Sequence, residues 1–267
     1  MQPDPNPQGQ EREVKTIGGA AIDGTPIAYI IVLASVVTVL AFVPFSIVLG
    51  SGKGIPLSQS IFPLLGWLLG PIAGALASGI GTLIGIFLAP YTAGVPAIAI
   101  WGAVIASFTA GAMADQDAGS SRKYRKYWYI GLTFLFGLEL AAYAYLAHRN
   151  LIPVNTFIAG SFINWSALLL FALPTRSLFA KMISSPNMAI VAIGIFGGTW
   201  TICGLAHLSQ VAFTYYLFNW PEPIWNTLIP IIPVENLMRG LSGAVIGTGV
   251  ISGLRAIKLV KPKQAIY

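Results

Sequence analysis

Apolar runs long enough to cross a bilayer dominate this chain and limit what it can fold into. The runs are Ile27–Leu49, Ile61–Leu88, Val95–Ala114, Trp128–Ala147, Thr156–Leu173, Met188–Leu217 and Leu237–Ile257. A hydrocarbon core about 30 Å thick is crossed by about 20 helical residues, and six of the runs reach spanning length. Charged residues make up 9% of the 267 positions, against roughly 25% in soluble domains. Such a chain cannot keep a soluble surface wet. The composition argues against a soluble enzyme, a disordered regulator and a nucleic-acid reader. It predicts an all-α integral membrane protein, a polytopic helical bundle.

Residues 1–26 are polar and rich in Pro and Gly, and read as a flexible N-terminal tail. Residues 27–257 form the transmembrane domain, and 258–267 a basic C-terminal tail. The run Ile61–Leu88 sets the crossing count. As one helix its 28 residues would extend about 42 Å. It contains Gly70-Pro71, where proline removes a donor and pushes the preceding residue out of helical geometry. One kinked helix gives seven crossings, and two short ones give eight. With seven, eleven Lys and Arg share one side against four; with eight, the split is twelve against three. Both arrangements put the basic loops and the C-terminus in the cytoplasm. The net charge of +6 therefore sets orientation and does not imply a nucleic-acid partner.

Within GWLLGPIAGALASGIGTLIG, Gly66, Gly70, Gly74 and Ser78 recur every four residues. Small residues at that step form a flat helix stripe that lets another backbone approach closely in lipid, either within the chain or on a docking partner. The order of a first helix, a polar loop ending in IPLSQS, FPLLGWLLGPIAGALASGIGTLIG and a further Gly- and Ala-rich helix resembles the substrate-capturing S component of energy-coupling factor (ECF) vitamin transporters. The resemblance covers Ile27 to Ala114. It implies a membrane subunit that binds a small water-soluble vitamin, precursor or metal. Such a subunit works with a transmembrane coupling subunit and two ATPases. This chain itself has no G-x-x-x-x-G-K-[ST] phosphate loop.

Trp200, Cys203, His207, Gln210 and Thr214 follow steps of three and four and share one helix face. They form either a hydrogen-bond seam or one wall of a solute cavity. Gly197-Gly198 allows a bend in the same run. Glu139 is the one acid near the middle of a span. At that depth a carboxylate is protonated, paired or beside a water-filled cavity, and Asn164 or His207 is the expected partner. Residues 219–240 contain four prolines and the anchors Trp220 and Trp225. They are predicted to form an outer loop without a continuous helix, either a lid or an interfacial anchor, in which Glu235 and Arg239 make a local i,i+4 pair. Catalytic patterns are nearly absent. His148 and His207 lie on separate segments, which excludes a two-His helical zinc site. No cofactor is called for.

The sequence thus predicts a non-enzymatic solute-binding subunit of a transporter. Glu139, Asn164, Trp200, His207 and Gln210 line its outward cavity, with Trp225 and Asn226 near the lid. Gly66, Gly70, Gly74 and Ser78 dock the partner, and the membrane is a prokaryotic inner or plasma membrane. The alternative is a structural or assembly subunit of a larger membrane complex, with the buried polar groups serving only as seams.

Overall fold

The computed structural model describes residues 20–48, 53–92, 94–113, 127–258 and 260–267. Among them, strands occur only as two antiparallel hairpins: β1 (Ala21–Ile22) with β2 (Thr25–Pro26), and β3 (Pro44–Val48) with β4 (Lys53–Pro56). The rest is helical. In chain order the helices are α1 (Ile27–Leu40), α2 (Phe62–Leu69), α3 (Pro71–Leu88), α4 (Pro96–Gly111) and α5 (Trp128–Arg149). They continue with α6 (Val154–Gly160), α7 (Phe162–Ala172), α8 (Thr175–Ile183), α9 (Met188–Phe218) and α10 (Glu222–Ala256). The expected all-α bundle is present. Helices α3, α5, α9 and α10 are long and apolar enough to cross a membrane, and α6 and α7, bent by 63°, pass as a fifth span when joined. Large apolar side chains point outward from several helices, including Val39, Phe87, Phe134 and Val245. That coat suits lipid and fits an integral membrane protein.

Two apolar runs divide where proline or glycine dictates. The run from Ile27 is helical only to Leu40, and its remainder, PFSIV, is strand β3. Pro44 has no N–H to extend a helix and restricts the residue before it to extended geometry. The run Ile61–Leu88 folds back at Gly70, whose φ of 86° is a conformation few side chains tolerate. A Cβ on Gly74 would sit 2.8 Å from the Leu65 carbonyl oxygen, although residues 66 and 74 of a straight helix stand about 12 Å apart. The run is therefore two helices.

Every residue of α2 is buried. Two glycines and two serines make that possible. A Cβ on Gly66 would collide with the Ser107 carbonyl oxygen and lie 2.7 Å from the Gly111 amide nitrogen, so α2 and α4 meet backbone to backbone. Ser107 Oγ donates to the Phe62 carbonyl at 2.7 Å, and Ser78 Oγ to the Ala103 carbonyl at 2.9 Å. Gly70 abuts the Gln264 side chain. The stripe of Gly66, Gly70, Gly74 and Ser78 is thus filled from within the chain and offers no open docking face. Close backbone approach is worth more to a short buried helix than an exposed contact would be.

The expectation for residues 219–240 is corrected. They begin the continuous 35-residue α10. Pro221 is its N-cap and Pro223 lies in the first turn, where a missing N–H costs nothing. Pro230 and Pro233 lie inside the helix. Each removes one backbone bond, and packing against α6 and α9 outweighs that loss. The bend allowed at Gly197-Gly198 is also not needed. These glycines sit inside unbroken α9 and admit the rings of Phe179 and Trp67.

Both ends of the described chain meet at one end of the bundle. Gln264 Nε2 donates to Asp23 Oδ1 at 3.2 Å, the Ile266 amide to the Trp67 carbonyl at 2.9 Å, and Thr25 Oγ1 to the Leu69 carbonyl at 2.9 Å. Residues 1–19 of the expected flexible tail and the basic residues Arg122 to Lys126 lie outside the described residues. Residues 20–26 pack as the β1–β2 hairpin, and Ala265 and Ile266 of the basic tail are buried.

Substituting Gly66→Ala is expected to cost about 1–3 kcal/mol through overpacking. Gly131→Ala, on a stretch of α5 with open space around it, should be neutral or stabilising by up to about 1 kcal/mol. Thermal unfolding of both variants in the same detergent checks the contrast.

Candidate functional site

One cavity in the bundle interior is lined from five segments. The 3-10 turn Leu57–Ser60, which follows β4 directly, contributes Gln59, and α2 contributes Phe62. Small residues of α4, Gly102 and Ala106, form one wall. Helix α9 supplies Cys203, Ala206, His207 and Gln210, and α10 supplies Arg239. The cavity measures about 20 Å³. A single water needs about 10–15 Å³, so the site is contracted to the size of one water. A solute of several heavy atoms would require Gln59 and Arg239 to part.

The hydrogen bonds settle what each polar group presents. Arg239 is 5% exposed. Its Nε donates to Gln59 Oε1 at 3.1 Å, its Nη2 lies 3.8 Å from Glu235 Oε2, and its guanidinium stands 5.8 Å from the Phe45 ring on β3. The Cys203 thiol donates to the Gln59 carbonyl at 3.7 Å, and Gln210 Nε2 to the Ile98 carbonyl at 3.2 Å. Gly102 makes room for the Gln210 amide, which a Cβ there would overlap.

His207 can be assigned a tautomer. Asn164 Nδ2 is 3.1 Å from the Gly204 carbonyl and 3.0 Å from His207 Nδ1. A carbonyl only accepts, so the amide nitrogen of Asn164 must face it. Its second hydrogen then points to Nδ1, which must accept. The imidazole is therefore neutral and carries its proton on Nε2.

The expected site residues separate into groups. His207 and Gln210 line the cavity together with Cys203, as their shared helix face predicts. Asn164 lies behind His207 and orients it. Glu139, eleven residues into α5, faces α9 elsewhere: its carboxylate accepts from Ser209 Oγ, 2.6 and 2.7 Å from the two oxygens. The partner is thus Ser209, and neither Asn164 nor His207. Residues 207 and 209 are about 200° apart around a helix, so Glu139 does not share the cavity. Trp200 contributes its carbonyl, which accepts from Asn236 Nδ2 at 3.1 Å, and is not in the lining. Thr214 Oγ1 turns back to the Gln210 carbonyl at 3.1 Å.

Trp225 is buried within an aromatic cluster. Its ring stacks on Tyr143 with centroids 5.2 Å apart and meets Tyr215 edge-on at 5.4 Å and Phe157 at 5.9 Å. Gly160 lies flat beneath it. Asn226 is exposed. These two residues belong to a packed helix start, and the lid expected of them is not formed. Gln59 and Arg239 complete the cavity and were not foreseen. Gln59 sits in a four-residue turn with no periodicity, and Arg239 had a local explanation in its i,i+4 pair with Glu235, which is present. No cluster of three His, Cys, Asp or Glu side chains suited to a metal ion occurs among the described residues.

Comparison with protein-family models, with curated proteins and with solved structures finds no match to this chain.

Removing the Ser209 hydroxyl leaves a half-buried carboxylate without its donor, which costs about 1–3 kcal/mol. Ser209→Ala is expected to destabilise by that amount, and Glu139→Gln by less, since an amide still bonds the hydroxyl. A double-mutant cycle should return a coupling of about 1–2 kcal/mol. Additive effects would show that the pair does not interact.

Proposed function

We propose that this chain is the solute-capturing membrane subunit of an ECF-type uptake transporter, binding a small water-soluble vitamin, precursor or similar solute. The observation that supports this is the convergence of a guanidinium, an imidazole and two carboxamides, from three separate segments, on one interior cavity. Polar groups inside a spanning bundle are expensive. Seams explain Glu139 with Ser209 and Asn164 with His207, but a seam does not require four such groups to face a common space. Gln59 lies directly behind the β3–β4 hairpin, and Phe45 of that hairpin stands near Arg239. Movement of the hairpin would therefore carry two cavity groups with it.

In this reading eight segments traverse the bilayer: α1, α2, α3, α4, α5, the bent α6–α7 pair, α9 and α10. Helix α2 is a short crossing shielded from lipid by its neighbours. An even number returns the chain to its starting side, in keeping with the bond between Gln264 and Asp23. Arg255, Lys258, Lys261 and Lys263 cluster near that end, which marks it as cytoplasmic, in a prokaryotic inner or plasma membrane. Energy would come from a coupling subunit and ATPases, meeting a surface other than the buried glycine stripe.

The contracted cavity favours the second reading, a structural or assembly subunit in which these groups only pack. Solute binding separates the two. The chain in lipid nanodiscs is expected to bind a solute in the nanomolar to micromolar range, weakened about tenfold or more by Arg239→Ala or His207→Ala. Unchanged affinity in both variants rejects this site. Stable co-purification with partners that are not ATPases, without solute binding, establishes the assembly role. Topology is checked separately in a Cys203→Ser background. Cysteines at Ala20 and Lys258 should label from one face of the membrane, and a cysteine at Val154 from the other.

A further inference from the structure

We infer that the captured solute carries a carboxylate, and that Arg239 receives it inside this cavity with Gln59 and His207 beside it. The inference rests on the solute-capture reading and adds the chemical class of the ligand. The lining has one formal charge, the Arg239 guanidinium, and contains no acidic residue. Its hydrogen-bonding groups are biased towards donation. Gln59 has committed its carbonyl to Arg239 Nε, so its amide offers a ligand only N–H. The contacts of Asn164 with Gly204 and His207 leave His207 with a donor at Nε2.

A guanidinium is a planar fork of five N–H groups suited to a carboxylate's two oxygens. Its Nε is used by Gln59. Glu235 stands 3.8 Å from Nη2, about 1 Å beyond a charge-assisted hydrogen bond. It balances charge without closing on the fork. An incoming carboxylate at about 2.8 Å would be the nearer partner. A single guanidinium matches one singly charged group better than a phosphate dianion, which ordinarily collects several cations and backbone amides. The apolar remainder of the solute would lie against Phe62, Ala106 and Ala206.

The test uses the full chain in nanodiscs, with thermal unfolding against matched probes: butanoate with butanamide, and benzoate with benzamide. In a second arm the chain is incubated with the low-molecular-mass fraction of a cell extract, and retained compounds are identified by mass spectrometry. Each acid is expected to stabilise the protein at concentrations at least about tenfold below its amide, and the retained compound is expected to be an acid. Both effects should disappear in Arg239→Gln and persist, weakened, in Arg239→Lys. Gln59→Glu serves as the second variant. It supplies an internal carboxylate to Arg239 in place of the ligand's, so acid binding should be lost while the fold survives, which decides the matter if Arg239→Gln does not fold.

Amides binding as well as acids, or a retained neutral compound, would overturn the carboxylate assignment and leave solute capture standing. Acid binding that survives both Arg239→Gln and Gln59→Glu would overturn it too. No stabilisation by any probe, with nothing retained, would defeat the solute-capture reading itself.

Discussion

Close approach of backbones through Gly66, Gly74 and Gly111 is the constraint on which the bundle depends. Helix α2 has eight residues, too few to satisfy lipid on its own, and it can lie in the interior only because α3 and α4 reach it with nothing larger than a hydrogen at the contact. An ordinary side chain at any of these positions would push α2 outward by ångströms. The 3-10 turn ahead of α2 would move with it, and Gln59 would leave Arg239. The small residues that look like a mere packing stripe thus determine where a cavity group more than six residues away comes to rest.

Polar groups in the interior are used in two different ways. Some pairs are closed, each group satisfied by its neighbour: Glu139 with Ser209, and Asn236 with the Trp200 carbonyl. Such pairs fix the rotation of one helix against the next, since turning α9 by one residue would separate Glu139 from Ser209. Around the cavity the bonding is directional but leaves faces pointing inward. Asn164 orients an imidazole, and Gln59 holds a guanidinium. Depth in the bundle does not distinguish the two kinds. What distinguishes them is whether the partners exhaust each other's donors and acceptors.

Much of the helical layout could be read from hydropathy. Helices α5 and α9 begin where the apolar runs begin and end within about two residues of them, because nothing inside these runs competes with helix. The shared face of Cys203, His207 and Gln210 was legible for the same reason: periodicity in a straight helix is geometry. Legibility failed where tertiary contacts overrode local rules. Four prolines argue against a helix over residues 219–240, yet two fall at its start and the packing of α10 carries the others. Glu139 stood out as an acid in mid-span, but its partner was a serine, a residue too common in such spans to single out. Arg239 was hidden by having a satisfactory neighbour one turn away. Gln59 belongs to a turn, and only the fold-back at Gly70 brings it beneath α10.

The clasp of Gln264 against Gly70 bears on how the molecule is made. About 200 residues separate these two positions, so at ordinary translation speeds of about 5–20 residues per second the second emerges about 10–40 s after the first. For that interval the bend at Gly70 has no clasp, and α2 has neither α9 nor α10 to cover it. A nascent chain in this condition needs shelter from the insertion machinery, and its first two helices reach their final depth only when the late segments arrive.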